Sequence, residues 1–176
     1  VLTKAFEMQP DHPDVLYNLG NAFKNLGKFK KAAGCYEDAI KLKPQDTKAY
    51  NNLGNVLKSL GKNEEAIQAF KKAIDIDPKH INANHNLANT YKELGNFEKA
   101  KEFYKKSFDF HSNLESLHTL SVLDDQALNE SIKNQINKIM NNKKITANNL
   151  AYGKFLLSKY EFKKNNLKKE FDYLIE

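Results

Sequence analysis

Two rows of asparagine recur along the chain at 34-residue steps: Asn18, Asn52 and Asn86 form one, and Asn21, Asn55 and Asn89 the other. An amide side chain carries a donor and an acceptor together, so such rows can pair with the N–H and C=O groups of an extended peptide whatever its sequence. Lys24, Lys58 and Lys92 make a third row at the same interval, and Tyr17, Asn51 and His85 share one position of the repeating unit. Asparagine is a mediocre helix former, so its recurrence within helices wants a reason. Six amide hydrogen bonds at a net ~1 kcal/mol each fall short of the ~8 kcal/mol of a micromolar complex. Further affinity has to come from pockets beside Tyr17 and His85, from additional repeats upstream of Val1, or from charge. Lys48 joins the same stripe, where Asp14 and Glu93 are the acids, so an acidic segment or a C-terminal carboxylate is the favoured ligand. Duplication without selection is the competing reading of the asparagines, and a solvated helix face that of the lysines.

Other chemistries find little footing. His12, His80, His85, His111 and His118 never fall at the i, i+4 spacing of a helical metal pair. Cys35 lacks a neighbouring histidine to activate it and reads as a packing residue; as a lone cysteine it forms no internal disulfide, which fits a reducing, cytoplasmic setting. Asp124 and Asp125 read as helix-capping charges at the start of a helix over 126–140. No phosphate loop, nucleophile elbow or catalytic carboxylate pair appears, so no enzymatic activity, metal or cofactor is expected.

The net charge of +6 comes from 28 basic residues that are all lysine. Without the arginine fork the chain lacks the bidentate geometry that reads guanine edges and grips phosphates, and nucleic acid is not an expected partner. Residues 1–114 hold 18 lysines against 14 acids and 115–176 hold 10 against 8, so neither part is a basic tail. No apolar run approaches the 18 residues or so of a membrane-spanning helix, and no membrane partner is expected.

The elements that carry these rows follow from the same period. Pro10, Pro44 and Pro78 are spaced by 34, as are Gly20 and Gly54, and Gly27, Gly61 and Gly95. Between them Leu16, Leu19, Ala22, Phe23 and Leu26 recur at helical steps, and Phe29, Ala32, Ala33, Tyr36, Ala39, Ile40 and Leu42 do so again. Gly27 supplies the stop between two antiparallel helices and Pro44 ends the second. The register Leu16-x2-Leu19-Gly20-x2-Phe23, Ala32-x3-Tyr36, Pro44 repeats as Tyr50-x2-Leu53-Gly54-x2-Leu57, Ala66-x3-Phe70, Pro78. It repeats again as Asn84-x2-Leu87-Ala88-x2-Tyr91 and Ala100-x3-Tyr104, with Ser107 and Ser112 replacing an alanine and a proline.

These residues resemble the tetratricopeptide repeat. The resemblance implies an all-α, right-handed solenoid of helix hairpins in which the asparagine and lysine rows line a concave groove. It places a second helix of a preceding repeat at 1–12, with Leu2, Ala5 and Pro10, and full repeats at 13–46, 47–80 and 81–114. A helical extension follows at 115–144, with Leu117, Leu120, Val122 and Leu123, then Leu128, Ile132, Ile136 and Ile139. A degenerate helix pair at 145–176 closes the chain, with Leu150, Gly153, Phe155 and Leu156, then Leu167, Phe171, Leu174 and Ile175. The row Asn18, Asn52 and Asn86 resembles the asparagine ladder of O-linked N-acetylglucosamine transferase. The segment from Leu150 to Leu174 resembles the last helix pair that precedes a sulfotransferase domain in bacterial proteins. The expected function is capture of an extended peptide; the alternatives are a substrate-positioning arm for a catalytic domain lying after Glu176, and a scaffold that self-associates through its terminal helices.

Overall fold

The computed structural model describes residues 12–142 and 145–175, which form ten α-helices and one short 3-10 turn with no strand among them. The all-α expectation holds. The half-repeat read at 1–12 lies outside the described residues apart from His12. Two compact units divide the chain, Val1–Gly95 and Asn96–Glu176, so the boundary falls inside the third repeat. None of the described helices is long and apolar enough to cross a membrane.

The first unit holds α1 (Pro13–Asn25), α2 (Phe29–Leu42), α3 (Thr47–Ser59), α4 (Asn63–Ile76) and α5 (Ile81–Glu93). Their limits follow from local chemistry. Pro13 opens α1, where its missing N–H costs nothing, and the His12 ring accepts from the amide of Asp14. Asp46 caps α3 by accepting from the amides of Lys48 and Ala49, and His80 caps α5 by accepting from that of Ala83. Helices α2 and α4 each stop two residues before a proline, at Leu42 and Ile76. The turns within hairpins place Gly27 at φ 69° and Gly61 at φ 75°, a backbone that a side chain would strain.

Helices α1 and α2 pair, as do α3 and α4, while α2 packs on α3 and α4 on α5. Close approach within each pair rests on a missing side chain. A Cβ on Gly20 would lie 2.7 Å from the Tyr36 ring, and one on Gly54 would lie 2.5 Å from that of Phe70. The rings are thereby fully buried alongside Ala32, Ala39, Ala66 and Ala73. Asn84, which replaces a large residue in the third register, is also fully buried; its Nδ2 donates to the carbonyls of Pro78 and His80 at 3.1 and 3.0 Å, tying the start of α5 to the loop before it.

The second unit holds α6 (Phe97–His111), α7 (Leu114–Leu123), α8 (Glu130–Met140), α9 (Ala147–Lys163) and α10 (Leu167–Ile175). Ser112, at the place of the earlier prolines, ends α6 in a left-handed conformation at φ 55°. Ser107 stands where alanine is the rule because its hydroxyl accepts from that of Ser116 at 3.0 Å in the packed joint between α6 and α7. Asp124 and Asp125 do not start the helix over 126–140: Asp124 caps a 3-10 turn, Asp125–Ala127, and α8 begins only after Asn129, whose Oδ1 accepts from the amide of Ile132. The break lets Leu128 bury its side chain before the helix resumes.

Helix α8 packs on α9, where Met140 fills the space left by Gly153. Asn165, at φ 59°, takes the turn position between α9 and α10 that glycine holds in the repeats. Buried Glu161 pairs with Lys133 at 2.9 Å and accepts from Asn166 Nδ2 at 3.1 Å. Of the expected apolar residues here, Leu156 is buried, Phe155 and Leu167 are exposed, and the side chains of Phe171, Leu174 and Ile175 lie outside the description.

Gly54→Ala is expected to cost roughly 2 kcal/mol or more, since the methyl group meets a fully buried ring. Gly34, mid-helix on α2 with open space around its Cα, gives the opposite sign: Gly34→Ala is expected to gain about 0.5–1 kcal/mol. Urea unfolding of the two variants checks both; a neutral Gly54→Ala would mean the helices part easily.

Candidate functional site

The asparagine and lysine rows all lie on the first helices of the repeats, α1, α3 and α5, within the first unit. Positions 16, 20, 49, 53, 83 and 87 of those helices turn inward, which leaves the rows on the other stripe. Asn18 and Lys48 are exposed, while Tyr17, Asn21, Lys24, Asn52, Asn55, Lys58, His85, Asn86, Asn89 and Lys92 are half-buried. Asn51 departs from this pattern, being only 6% exposed.

The amides do not stand apart as independent rungs. Asn52 Nδ2 donates to Asn21 Oδ1 at 3.0 Å and to Tyr17 Oη at 3.1 Å, which links α3 to α1. Asn86 Nδ2 donates to Asn51 Oδ1 at 3.0 Å and links α5 to α3 in the same sense. The rows and the position shared by Tyr17, Asn51 and His85 are thus stitched together: the asparagine at position 6 of one repeat reaches back to position 5 of the repeat before, and Asn52 reaches position 9 as well. Asn51 is buried because it is the acceptor of one such stitch. Asn18 and Asn55 make no side-chain hydrogen bond among the described residues, so their amides remain available.

Tyr36 belongs to this network although it sits on a second helix and no spacing rule points to it. Its hydroxyl donates to Asn21 Oδ1 at 2.7 Å, and its ring lies 5.9 Å from that of Tyr17. The only available signal was a tyrosine in the register that Phe70 fills one repeat later. Burial pushes the Tyr36 hydroxyl up to about 12, with the neighbouring Tyr17 hydroxyl adding to the shift.

The lysine row is uneven. Lys58 is paired with Glu93 on the next first helix at 2.8 Å, whereas Lys24, Lys48 and Lys92 make no ion pair among the described residues. The residue facing Lys24 in the register of Glu93 is Ser59, which cannot neutralise it. The face therefore carries free amides at Asn18 and Asn55 beside unneutralised ammonium groups.

Asn52→Ala removes both hydrogen bonds to the preceding repeat and is expected to lower stability by ~1–2 kcal/mol, whereas Asn18→Ala and Asn55→Ala should stay within about 0.5 kcal/mol of the parent in chemical denaturation. For Tyr36 the folded chain holds its proton more tightly than the unfolded chain, whose value is near 10.0. Stability contributed by the protonated hydroxyl is complete below pH 10.0 and is lost as pH rises toward about 12. Unfolding midpoints measured across that window should fall for the parent and flatten for Tyr36→Phe.

Family comparisons agree with the repeat fold. Models described as TPR repeat or tetratricopeptide repeat match residues 1–33, 20–61, 54–95 and 81–110. No curated protein matches the chain in sequence. Among solved structures, one titled "Crystal structure of MamA" is 19% identical, covers 93% of this chain and 87% of its own, and superposes with a TM-score of 0.68. Another, the first TPR of Spaghetti (RPAP3) bound to the HSP90 peptide SRMEEVD, is 22% identical, covers 65% of this chain and 91% of its own, and gives a TM-score of 0.61. With helix pairs closed by glycine against a ring and repeat models running from residue 1 to residue 110, the chain belongs to the tetratricopeptide repeat family.

Proposed function

We propose that the face formed by α1, α3 and α5 is a groove that binds an extended peptide rich in acidic residues or ending in a carboxylate. The observation that carries this reading is the pairing of free amides with unneutralised lysines: among the described residues Asn18 and Asn55 have no side-chain partner, and Lys24, Lys48 and Lys92 have no acid. Free amides on neighbouring repeats suit the N–H and C=O groups of an extended backbone. The lysines supply charge complementarity, which steers an acidic ligand and disfavours a basic one. The peptide on the RPAP3 repeat supports the same chemistry, since SRMEEVD holds two glutamates and closes on an aspartate.

Asn52 and Asn86 play a second part in this reading. With their N–H groups bonded to the preceding repeat, they hold adjacent repeats at a fixed spacing, so that the free amides and the lysines meet the ligand together. Such a groove recognises backbone direction and charge and leaves side-chain identity mostly unread. Binding is therefore weak and salt-sensitive, because exposed ammonium groups are screened beyond roughly 8 Å at physiological ionic strength.

Fluorescence anisotropy with labelled SRMEEVD tests the reading. Asn18→Ala, Asn55→Ala and Lys24→Ala combined are expected to weaken binding by about tenfold with no loss of stability, and an amidated C-terminus should weaken it further. Equal binding by parent and triple variant would move the site off this face.

A further inference from the structure

The turn of the first hairpin joins an apolar notch to a cluster of lysines. Gly27, Lys28, Phe29, Lys30, Lys31 and Leu60 enclose an open notch of about 390 Å³, with the Phe29 ring and the Leu60 side chain as its apolar walls. Leu26 stands beside it with 67% of its surface in water. Around these apolar groups the charge is of one sign. No carboxylate occurs between Asp14 and Glu37, and Lys28, Lys30 and Lys31 make no ion pair among the described residues. The Lys31 ammonium lies over the Phe23 ring, 5.7 Å from its centroid.

The equivalent positions of the later repeats are neutralised. Helix α4 has Glu64 and Glu65 in its first turn, and Lys62 pairs with Glu65 at 2.8 Å; α6 has Glu98, paired with Lys101 at 3.0 Å. Helix α2 has no acid in its first turn and places lysines there instead, against the positive end of its own dipole. Within one chain, then, the same structural position is balanced in two copies and left as concentrated positive charge around an apolar notch in the first. Folding alone gains nothing from that arrangement. An acidic partner would relieve it.

We propose that this turn is a docking surface, separate from the asparagine face, for a protein segment in which one apolar side chain is flanked by carboxylates. The apolar side chain enters between Phe29 and Leu60, and the carboxylates meet Lys28, Lys30 and Lys31. Shape argues for a protein segment over a bilayer, since the half-buried Phe29 and Leu60 are walls of a recess and do not project as membrane-inserting side chains do. Charge type argues against nucleic acid, because the turn offers lysine ammonium groups alone, without an arginine fork.

The probe is a labelled peptide with one leucine between two pairs of glutamates, titrated into the full chain. Amide shifts are expected at Gly27 to Lys31 and at Leu60, a readout that needs no variant. Lys28→Ala, Lys30→Ala and Lys31→Ala combined should weaken the binding read at Gly27 to Lys31 and Leu60 about tenfold and leave any shifts on α1, α3 and α5 in place, which separates this surface from the groove. Replacing the leucine of the probe by serine should also weaken binding. Shifts confined to α1, α3 and α5, or undiminished binding by the lysine variant, would overturn the proposal. Tighter binding of phosphatidylserine vesicles or of a thymidine oligonucleotide through the same lysines would also overturn it, assigning the turn to a membrane or to nucleic acid.

Discussion

The absence of a side chain at Gly20 and Gly54 is the constraint on which the first unit depends. It lets the Tyr36 and Phe70 rings lie against the backbone of the partner helix, closer than any Cβ would allow. A hairpin closed this tightly is a narrow wedge with apolar residues on both of its broad sides. Burying them requires the next hairpin, so α2 packs on α3 and α4 on α5. The regular stacking in turn brings the first helices side by side, and only then do residues 34 apart in sequence become neighbours in space.

The asparagine face shows what that neighbourhood does. Asn52 and Asn86 reach to the repeat before them, so one residue type holds adjacent repeats in register and presents polar groups to solvent. The N–H end of each is engaged by the preceding repeat, and the Asn52 carbonyl also accepts from Asn51 Nδ2 at 3.5 Å. Tyr36 joins the stability of the hairpin to this face, its ring lying over Gly20 and its hydroxyl donating to Asn21.

Past the third repeat the same tasks are met by other residues. Asn165 replaces glycine at a left-handed turn, a serine pair replaces alanine at a helix joint, and half-buried Lys133 pairs with buried Glu161 between α8 and α9. Breaking such a pair by removing one partner leaves a buried charge, so these residues are tied to one another more tightly than interchangeable apolar residues are. No period marks them in the sequence, because the solution occurs once.

Sequence by itself determined the repeat, the helices within it and the stripe on which the amides and lysines lie, since period, glycine, proline and apolar spacing are local properties of the chain. The start of α8 escaped it: Asp124 and Asp125 look like helix-opening residues, yet the burial of Leu128 and the cap offered by Asn129 outweigh them. Also beyond it was which amides are free. Asn18, Asn52 and Asn86 are the same residue at the same repeat position, but Asn52 and Asn86 have a preceding described repeat to bond and Asn18 stands exposed. Likewise Lys24 and Lys58 are equivalent in register, yet among the described residues Lys58 meets a glutamate and Lys24 does not, because the place of Glu93 is taken by Ser59 one repeat earlier. Identity and spacing are written in the chain, whereas pairing depends on what stacking brings within reach of each polar group, and that is decided only in three dimensions.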